Sequence, residues 1–273
     1  MNFSKIEKII KDEYNIKNII KIEKNENSSQ GNVYIIYTPT KNYVVKKYKE
    51  LSHAKSMIEI HNFLEDNDFN SPIVYKNNNK IQYSKLNDDS YIVLYSFMIG
   101  KELGYEDNSK TLDLNIVENI AKAIKKFHNI TREFNNQNID NIPFKIEKEI
   151  SRKSLLHFDL TRSNIFNNNG KIGIIDFDDV KFGASVCDVA IAIANLFFSK
   201  SRGIDEKGYK KFIEVYYSDE KEEIKDIEIP MIKDIAIKWI NYVLNTNSFD
   251  ASDKESFEVR KKLIEMEKIK TCL

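Results

Sequence analysis

The amino-acid sequence predicts an α+β protein of two lobes, a small antiparallel-sheet N-lobe with one or two helices and a larger, mainly helical C-lobe. Three observations carry that prediction. Short β-branched and aromatic runs of strand length occupy the chain up to about Phe97. Beyond Gly100 the apolar residues recur at helical spacing in one stretch after another. The pattern changes where an apolar strand closes on a glycine, so residues 1–98 are assigned to the first lobe and 99–273 to the second.

The elements follow in order. Phe3, Ile6, Ile9, Ile10 and Tyr14 mark an amphipathic first helix. Apolar runs at 19–22, 33–37, 43–48 and 91–97 read as strands, and the amphipathic stretch 51–64 reads as a helix, which fits a five-stranded sheet with one helix packed on it. In the second lobe, helical periodicity predicts segments at 112–130, 144–150, 186–198, 207–217, 231–244 and 252–269. The charge-dense segment 218–228 reads as a solvated helix or loop face rather than a binding patch. No internal repeat is present.

Composition excludes several function classes. The 42 basic residues balance the 42 acidic ones, so no electrostatic case exists for nucleic acid or an anionic membrane surface. A chain of 273 residues can bury a sizeable core. Cys187 and Cys272 lie far apart and no secretory leader pattern is present, so disulfides are not expected and a cytoplasmic location is. No apolar run is long enough to span a bilayer. The abundance of Asn, Lys and Ile reflects AT-rich coding bias rather than disorder, because apolar periodicity continues throughout.

Chemistry concentrates in residues 157–178, HFDLTRSNIFNNNGKIGIIDFD. An H-x-D-x-x-x-x-N element is followed by a turn and a short apolar strand that ends in Asp-Phe-Asp. Phosphoryl transfer needs a carboxylate to orient the attacking hydroxyl and take its proton, and oxygen ligands to hold Mg²⁺ against a nucleotide's phosphates. Asp159 can supply the first; Asn164 and Asp176 can supply the second. Mg²⁺ takes few hard protein oxygens and leaves its other positions to water and phosphate, so one amide oxygen and one carboxylate suffice. Four residues separate Asp159 from Asn164, enough to turn both side chains toward one cavity while Leu160 anchors the loop. The Asn-rich turn at 167–170 then starts a strand that delivers Asp176 beside Asn164.

The element resembles the kinase-like phosphotransferases that include the aminoglycoside phosphotransferases, choline and fructosamine kinases and the bacterial homoserine kinase-like group. The matching stretch is Ile175-Asp176-Phe177-Asp178-Asp179, then Gly183, then Asp188-Val189-Ala190. Protein kinases match less well: Phe158 stands where they carry Arg, Asp178 where they carry Gly, and the dozen or so residues from Asp176 to Asp188 leave no room for an activation loop. The resemblance implies a protein-kinase-like fold and Mg²⁺-dependent transfer of the γ-phosphate of ATP or GTP to a hydroxyl of a small acceptor, of aminoglycoside or amino-alcohol/sugar type. It implies a nucleoside triphosphate and a small hydroxyl-bearing molecule as partners.

The resemblance also assigns residues upstream. Lys46, in the strand 43–48, takes the place of the lysine on the nucleotide phosphates, with Lys47 turned to solvent, and Glu59 is its natural acidic partner on the following helix. The loop NENSSQGN at 25–32 would cover the phosphates with Ser28, Ser29 and backbone N–H groups. At the strand 91–100, which resembles the family's hinge, the Ser96 carbonyl and Met98 N–H would pair with the base. His128 is expected to be structural, and His157 to brace the loop through backbone and Asp188 hydrogen bonds rather than act as a base. Only 28 residues lie between these two histidines, fewer than in larger relatives, so the acceptor pocket falls to 135–152 and the C-terminal helices. Glu220, Glu222, Glu223, Asp226 and Glu228 could supply acids for a polycation, although lysines are interleaved. The alternative is a catalytically silent nucleotide-binding protein of this fold with a structural or spore-associated role; such proteins usually lose Asp, Asn or metal Asp, and this chain keeps all three.

Overall fold

The computed structural model describes residues 3–25, 32–87, 90–104, 110–246 and 251–267. The chain divides into two compact units, Met1–Ile99 and Gly100–Leu273.

The first unit comprises α1 (Phe3–Glu13), β1 (Lys21–Lys24), β2 (Val33–Tyr37), β3 (Asn42–Tyr48), α2 (Leu51–Asp66), β4 (Ser84–Asn87) and β5 (Ser90–Ser96). Its strands form one antiparallel sheet in the order β1-β2-β3-β5-β4. Alternation along the strands decides what each face meets. Tyr34 and Ile36 of β2, Tyr43 and Val45 of β3, and Ile92 and Leu94 of β5 join Ile6 and Ile10 of α1 in one buried cluster. Burying each such side chain is worth roughly 1.5–3 kcal/mol. On the other face the Tyr48 and Tyr95 hydroxyls meet at 2.9 Å. His53 and His61 of α2 pack on those two rings, so α2 covers this face.

The second unit comprises β6 (Lys101–Glu102), α3 (Leu114–Ile130), β7 (Lys153–Leu156), β8 (Ile165–Asn168), β9 (Lys171–Ile174), β10 (Lys181–Ala184), α4 (Val186–Phe197), β11 (Phe198–Ser199), β12 (Gly203–Ile204), α5 (Glu206–Tyr216), α6 (Glu222–Glu228), α7 (Ile232–Thr246) and α8 (Ala251–Met266). Every residue of α4 is buried, as expected of a helix apolar on all sides. Its neighbours are amphipathic: α3 buries Val117, Ile120, Ala121, Ile124, Phe127 and His128, one stripe at helical spacing, and Asp113 caps it by accepting the Asn115 N–H at 2.8 Å. Three small sheets, β6-β8-β9, β7-β10 and β11-β12, tie the loops down. At Gly100, φ is +123° and a Cβ would lie 2.8 Å from the Asn167 carbonyl oxygen, so only glycine fits where β6 begins. Among the described residues no helix is long and apolar enough to cross a membrane.

One expectation is corrected. Residues 144–150 do not form a helix. The segment is shorter than a self-sustaining helix and is held otherwise: the Ile142 N–H donates to the Phe182 carbonyl at 3.1 Å, and the Phe144 ring stacks on Phe158. The segment 218–228 is exposed over most of its length, with Glu228 at 2% and Lys225 at 8% exposure turned inward.

Candidate active site

The loop from His157 to Asn164 links β7 to β8, and its conformation is set by hydrogen bonds rather than by regular structure. The Thr161 N–H donates to the Asp159 carbonyl at 3.0 Å and the Asn164 N–H to the Thr161 carbonyl at 3.2 Å, which turns the chain back on itself. Leu160 is buried beneath it. The Asn164 side-chain amide donates to both the Asp159 carbonyl and Asp159 Oδ2, each at 2.9 Å. The amide nitrogen is thereby committed, and Oδ1, the atom a hard cation would take, stays outside that pair of bonds. The Ile175 N–H donates to the Asn164 carbonyl at 3.0 Å, so the end of β9 carries Asp176 to the same place.

Two residues here hold a left-handed backbone: Phe158 at φ 66° and Asp176 at φ 67°. For a bulky residue such as Phe this costs on the order of 1–3 kcal/mol and persists only where neighbours over-determine it. The neighbour is Asp188, fully buried at the start of α4. Its carboxylate accepts the His157 N–H at 2.6 Å, the Phe158 N–H at 2.9 Å and His128 Nε2 at 3.2 Å. His128 Nδ1 in turn accepts the Tyr216 hydroxyl at 2.7 Å. His157 is also clamped: Nδ1 accepts the Asp159 N–H at 3.3 Å and Nε2 donates to the Ile175 carbonyl at 2.8 Å. A ring with one nitrogen accepting from an amide and the other donating to a carbonyl has no nitrogen left for proton transfer. Both histidines are braces.

The electrostatics fit a divalent cation. Burial, with repulsion from Asp179 and Asp176, pushes the Asp159 carboxyl up to about 6, opposed by the neighbouring His157 and by the Asn164 amide. Burial and the neighbouring Asp176 and Asp178 likewise raise Asp179. Carboxylates gathered in a half-closed site are uncomfortable alone and relieved by positive charge. Asn164 and Asp176 would hold Mg²⁺. Asp179, to which the sequence reading gave no role, interacts electrostatically with Asp159 and Asp176; the Asp-Phe-Asp-Asp run was the signal that could have found it.

The remaining candidates lie in the first unit. Lys46 of β3 is paired in register with Val33 and Val93. It shares its sheet face with Val44 and Tyr48, the face covered by α2, on which Glu59 occupies an exposed position. Lys47 lies on the α1 face with Tyr43 and Val45 and is half-buried rather than turned to open solvent. Ser96 donates its N–H to the Ile73 carbonyl at 2.8 Å and takes the Ile73 N–H on Oγ at 2.9 Å. Met98 is buried. Ser28 and Ser29 lie outside the described residues.

Two of the acids of 218–228, Glu220 and Glu228, are already engaged. Arg152, 9% exposed, donates Nε to Glu228 Oε1 at 2.8 Å, its second terminal nitrogen to Glu228 Oε2, and its first to Glu220 Oε1 at 2.7 Å. The Tyr217 hydroxyl adds a bond to Glu228 at 2.9 Å. Glu220 and Glu228 therefore cannot serve a polycationic acceptor as anticipated. They anchor the strand that leads into the His157–Asn164 loop.

Comparison with known proteins bears on this geometry. The model of the APH family, the phosphotransferase enzyme family, matches residues 145–211, the stretch that holds the loop, β8, β9 and α4. In fold the chain is similar to solved aminoglycoside phosphotransferases and other small-molecule kinases. Its solved neighbours include amicoumacin kinase hAmiN in complex with AMP-PNP, Ca²⁺ and Ami, with 13% identity, TM-score 0.67, and 87% of this chain and 86% of that one covered. A microcompartment-associated aminopropanol kinase shares 13% identity at TM-score 0.65, covering 97% of this chain and 94% of the other. The GDP complex of aminoglycoside 2'-phosphotransferase-IIIa shares 15% at TM-score 0.65, covering 97% and 98%. No curated protein matches this chain in sequence.

Proposed function

We propose that the protein transfers the γ-phosphate of ATP or GTP to a hydroxyl group of a small molecule of aminoglycoside or amino-alcohol/sugar type, with Mg²⁺ as the metal. The observation that carries this reading is the Asp159–Asn164 pair: a half-buried carboxylate, oriented by an amide whose oxygen is left for a cation, beside the strand end that bears Asp176. Asp159 accepts a hydrogen bond from the acceptor hydroxyl, aligns its oxygen on the γ-phosphorus, and takes the proton as the new P–O bond forms and the β–γ bridging bond breaks. Asn164 Nδ2 holds that carboxylate in place. Asn164 Oδ1 and Asp176 would hold the metal, which would neutralise charge on the phosphates. Lys46, held by Glu59, contacts the α- and β-phosphates; Ser28 and Ser29 cover them; and the Ser96 carbonyl and Met98 N–H take the base. A cytoplasmic location, where nucleoside triphosphate is supplied, goes with this reading.

The test is a screen of the purified protein against aminoglycosides, amino alcohols and sugars, with ATP and with GTP, reading nucleotide consumption. Acceptor-dependent turnover that falls on the order of a hundredfold in Asp159→Asn supports the reading. Binding of Mg-nucleotide with no transfer to any acceptor, and basal hydrolysis the same in Asp159→Asn, would leave a silent nucleotide-binding protein.

A further inference from the structure

Between residues 143–147 and α7 lies a pocket of about 450 Å³, a volume that takes a small organic ligand. Two of its lining residues are aromatic, and both rest on the His157–Asn164 loop. The Phe144 ring stacks on Phe158 with centroids 6.2 Å apart, and the Tyr242 ring meets Phe158 edge-on at 5.9 Å. Phe158 is 4% exposed and has no surface to offer, whereas Phe144 and Tyr242 are half-buried and line the pocket. The three rings join the pocket to the chemistry, because Asp159 follows Phe158 and consecutive Cα atoms lie about 3.8 Å apart.

The charges around this pocket answer one another. Lys238 Nζ lies 2.8 Å from Asp234 Oδ2 and 3.9 Å from Glu147 Oε1, and donates to the Lys145 carbonyl at 3.3 Å, so one ammonium ties the 143–147 segment to α7. Lys145 and Lys238 thus stand against Glu147 and Asp234, two charges of each sign. Lys261, which approaches from α8, donates to Asn241 Oδ1 at 2.8 Å and not to a carboxylate. No acidic excess exists here for a polycation. What the lining presents besides its rings is neutral: the Asn241 amide, whose oxygen Lys261 takes and whose Nδ2 is left to donate, the Asn245 amide, and the Tyr242 hydroxyl.

We propose that this pocket is the subsite of the acceptor and that the acceptor is a neutral sugar: the C–H face of its ring lies against Phe144 and Tyr242, its hydroxyls bond Asn241, Asn245 and the Tyr242 hydroxyl, and one further hydroxyl extends toward Asp159. A sugar ring pairs an apolar face with a belt of neutral donors and acceptors, which is the combination the lining offers. The same lining selects against an aminoglycoside. The word acceptor rests on the phosphotransfer reading; the binding of a neutral sugar does not depend on it. The four residues are binding residues in this scheme, and none touches the reacting atoms.

Two measurements test it. The first is saturation-transfer NMR titration of the full chain with a panel of neutral monosaccharides, each beside its amino-sugar and uronic-acid counterpart, in wild type, Tyr242→Ala, Phe144→Leu, Tyr242→Phe and Asn245→Ala. Saturable binding of a neutral member is expected, tighter than that of its charged counterparts, with saturation strongest on the C–H protons of one ring face. It should weaken about tenfold in Tyr242→Ala and Phe144→Leu, which remove a ring face, and a few-fold in Tyr242→Phe and Asn245→Ala, which remove a hydrogen bond. Should Tyr242→Ala or Phe144→Leu fail to fold, Tyr242→Phe and Asn245→Ala, which leave all three rings in place, carry the comparison. No binding of any neutral member, tighter binding of a charged counterpart, or binding unmoved by every variant overturns the proposal. The second measurement is turnover of the same sugars and of aminoglycosides with ATP and with GTP. A neutral sugar should lead in kcat/KM, and Tyr242→Phe and Asn245→Ala should raise its KM a few-fold while kcat holds, a split that a merely structural role would not give. A polycationic acceptor that leads, with KM unmoved in those variants, overturns the subsite and leaves phosphotransfer standing. Turnover with no acceptor, and basal hydrolysis unchanged in Asp159→Asn, overturns phosphotransfer while the NMR series still decides the sugar site.

Discussion

Asp159 and Asp188 stand 29 residues apart in the chain and serve one loop, yet they are treated in opposite ways. Asp188 is fully buried and accepts from two backbone N–H groups and an imidazole. Its charge is spread over three donors and its geometry is closed. Asp159 is half-buried, accepts from one side-chain amide, and looks toward other carboxylates. A fully satisfied carboxylate is a structural tie; an under-satisfied one is held ready for a partner that the folded chain does not itself supply. The left-handed backbone at Phe158 joins the two: Asp188 enforces the turn that presents Asp159.

The sharpest way to break this contrast is Asp188→Asn. The amide can accept with its oxygen, but its NH₂ meets donors where the second carboxylate oxygen stood, leaving buried N–H groups unpaired. A loss of stability on the order of 3 kcal/mol or more is expected, seen as a shifted denaturant midpoint. Asp159→Asn is the opposite case. Its new oxygen still accepts from Asn164 and its neutrality relieves repulsion from Asp176 and Asp179, so the midpoint should hold or rise while kcat falls on the order of a hundredfold, about 2.7 kcal/mol in the barrier. If the two variants traded places, Asp159 unfolding the protein and Asp188 silencing a stable one, the division of labour would be wrong.

The next pair of variants asks whether the open site takes a metal and a nucleotide. In wild type, nucleotide should raise Tm more with Mg²⁺ than with EDTA, because a ligand that binds only the native state stabilises it by mass action. Asp176→Ala should erase the Mg²⁺-dependent part. Lys46→Ala should weaken the nucleotide shift, whereas Lys47→Ala, on the α1 face of the sheet, should leave it. The reverse lysine result would require the strand to present its other face to the nucleotide.

The conformation of the loop 157–164 was legible in the sequence because its parts lie close together along the chain. Asp159, Asn164, Asp176 and Asp188 span thirty residues, and two tight turns with one short strand between them leave few ways to arrange the side chains. The strands and helices were legible for the same local reason: alternation in β2, β3 and β5, and a stripe of apolar residues in α3. What was not legible depends on distant partners. The apolar spacing at 144–150 resembles a helix until Phe158 is seen to claim Phe144. Glu220 and Glu228 read as available to an acceptor until Arg152, 76 residues before Glu228, is placed between them. Tyr242 lies far beyond Phe158 in the chain, and nothing near it in α7 announces that the two rings meet.

The smallest expected effect lies at the far end of the Asp188 chain. Tyr216 is 1% exposed, and burial drives its phenol well above the usual range, so at ordinary pH the hydroxyl is a donor, and it donates to His128 Nδ1. Tyr216→Phe keeps the ring, which stacks on Phe212 and lies under the Arg152 guanidinium, and removes only that bond. One buried nitrogen loses its partner, which costs about 1 kcal/mol, or a fall in Tm of about 2–4 °C. His128 Nε2 still donates to Asp188, and Asp188 still holds the His157 and Phe158 amides. The loop should therefore keep its shape, with kcat within a few-fold of wild type and the Mg-nucleotide shift unchanged. A Tyr216→Phe protein as stable as wild type but as slow as Asp159→Asn would make the Tyr216–His128–Asp188 chain a participant in the chemistry, and the distinction between the two aspartates would then be one of distance from the acceptor rather than of role.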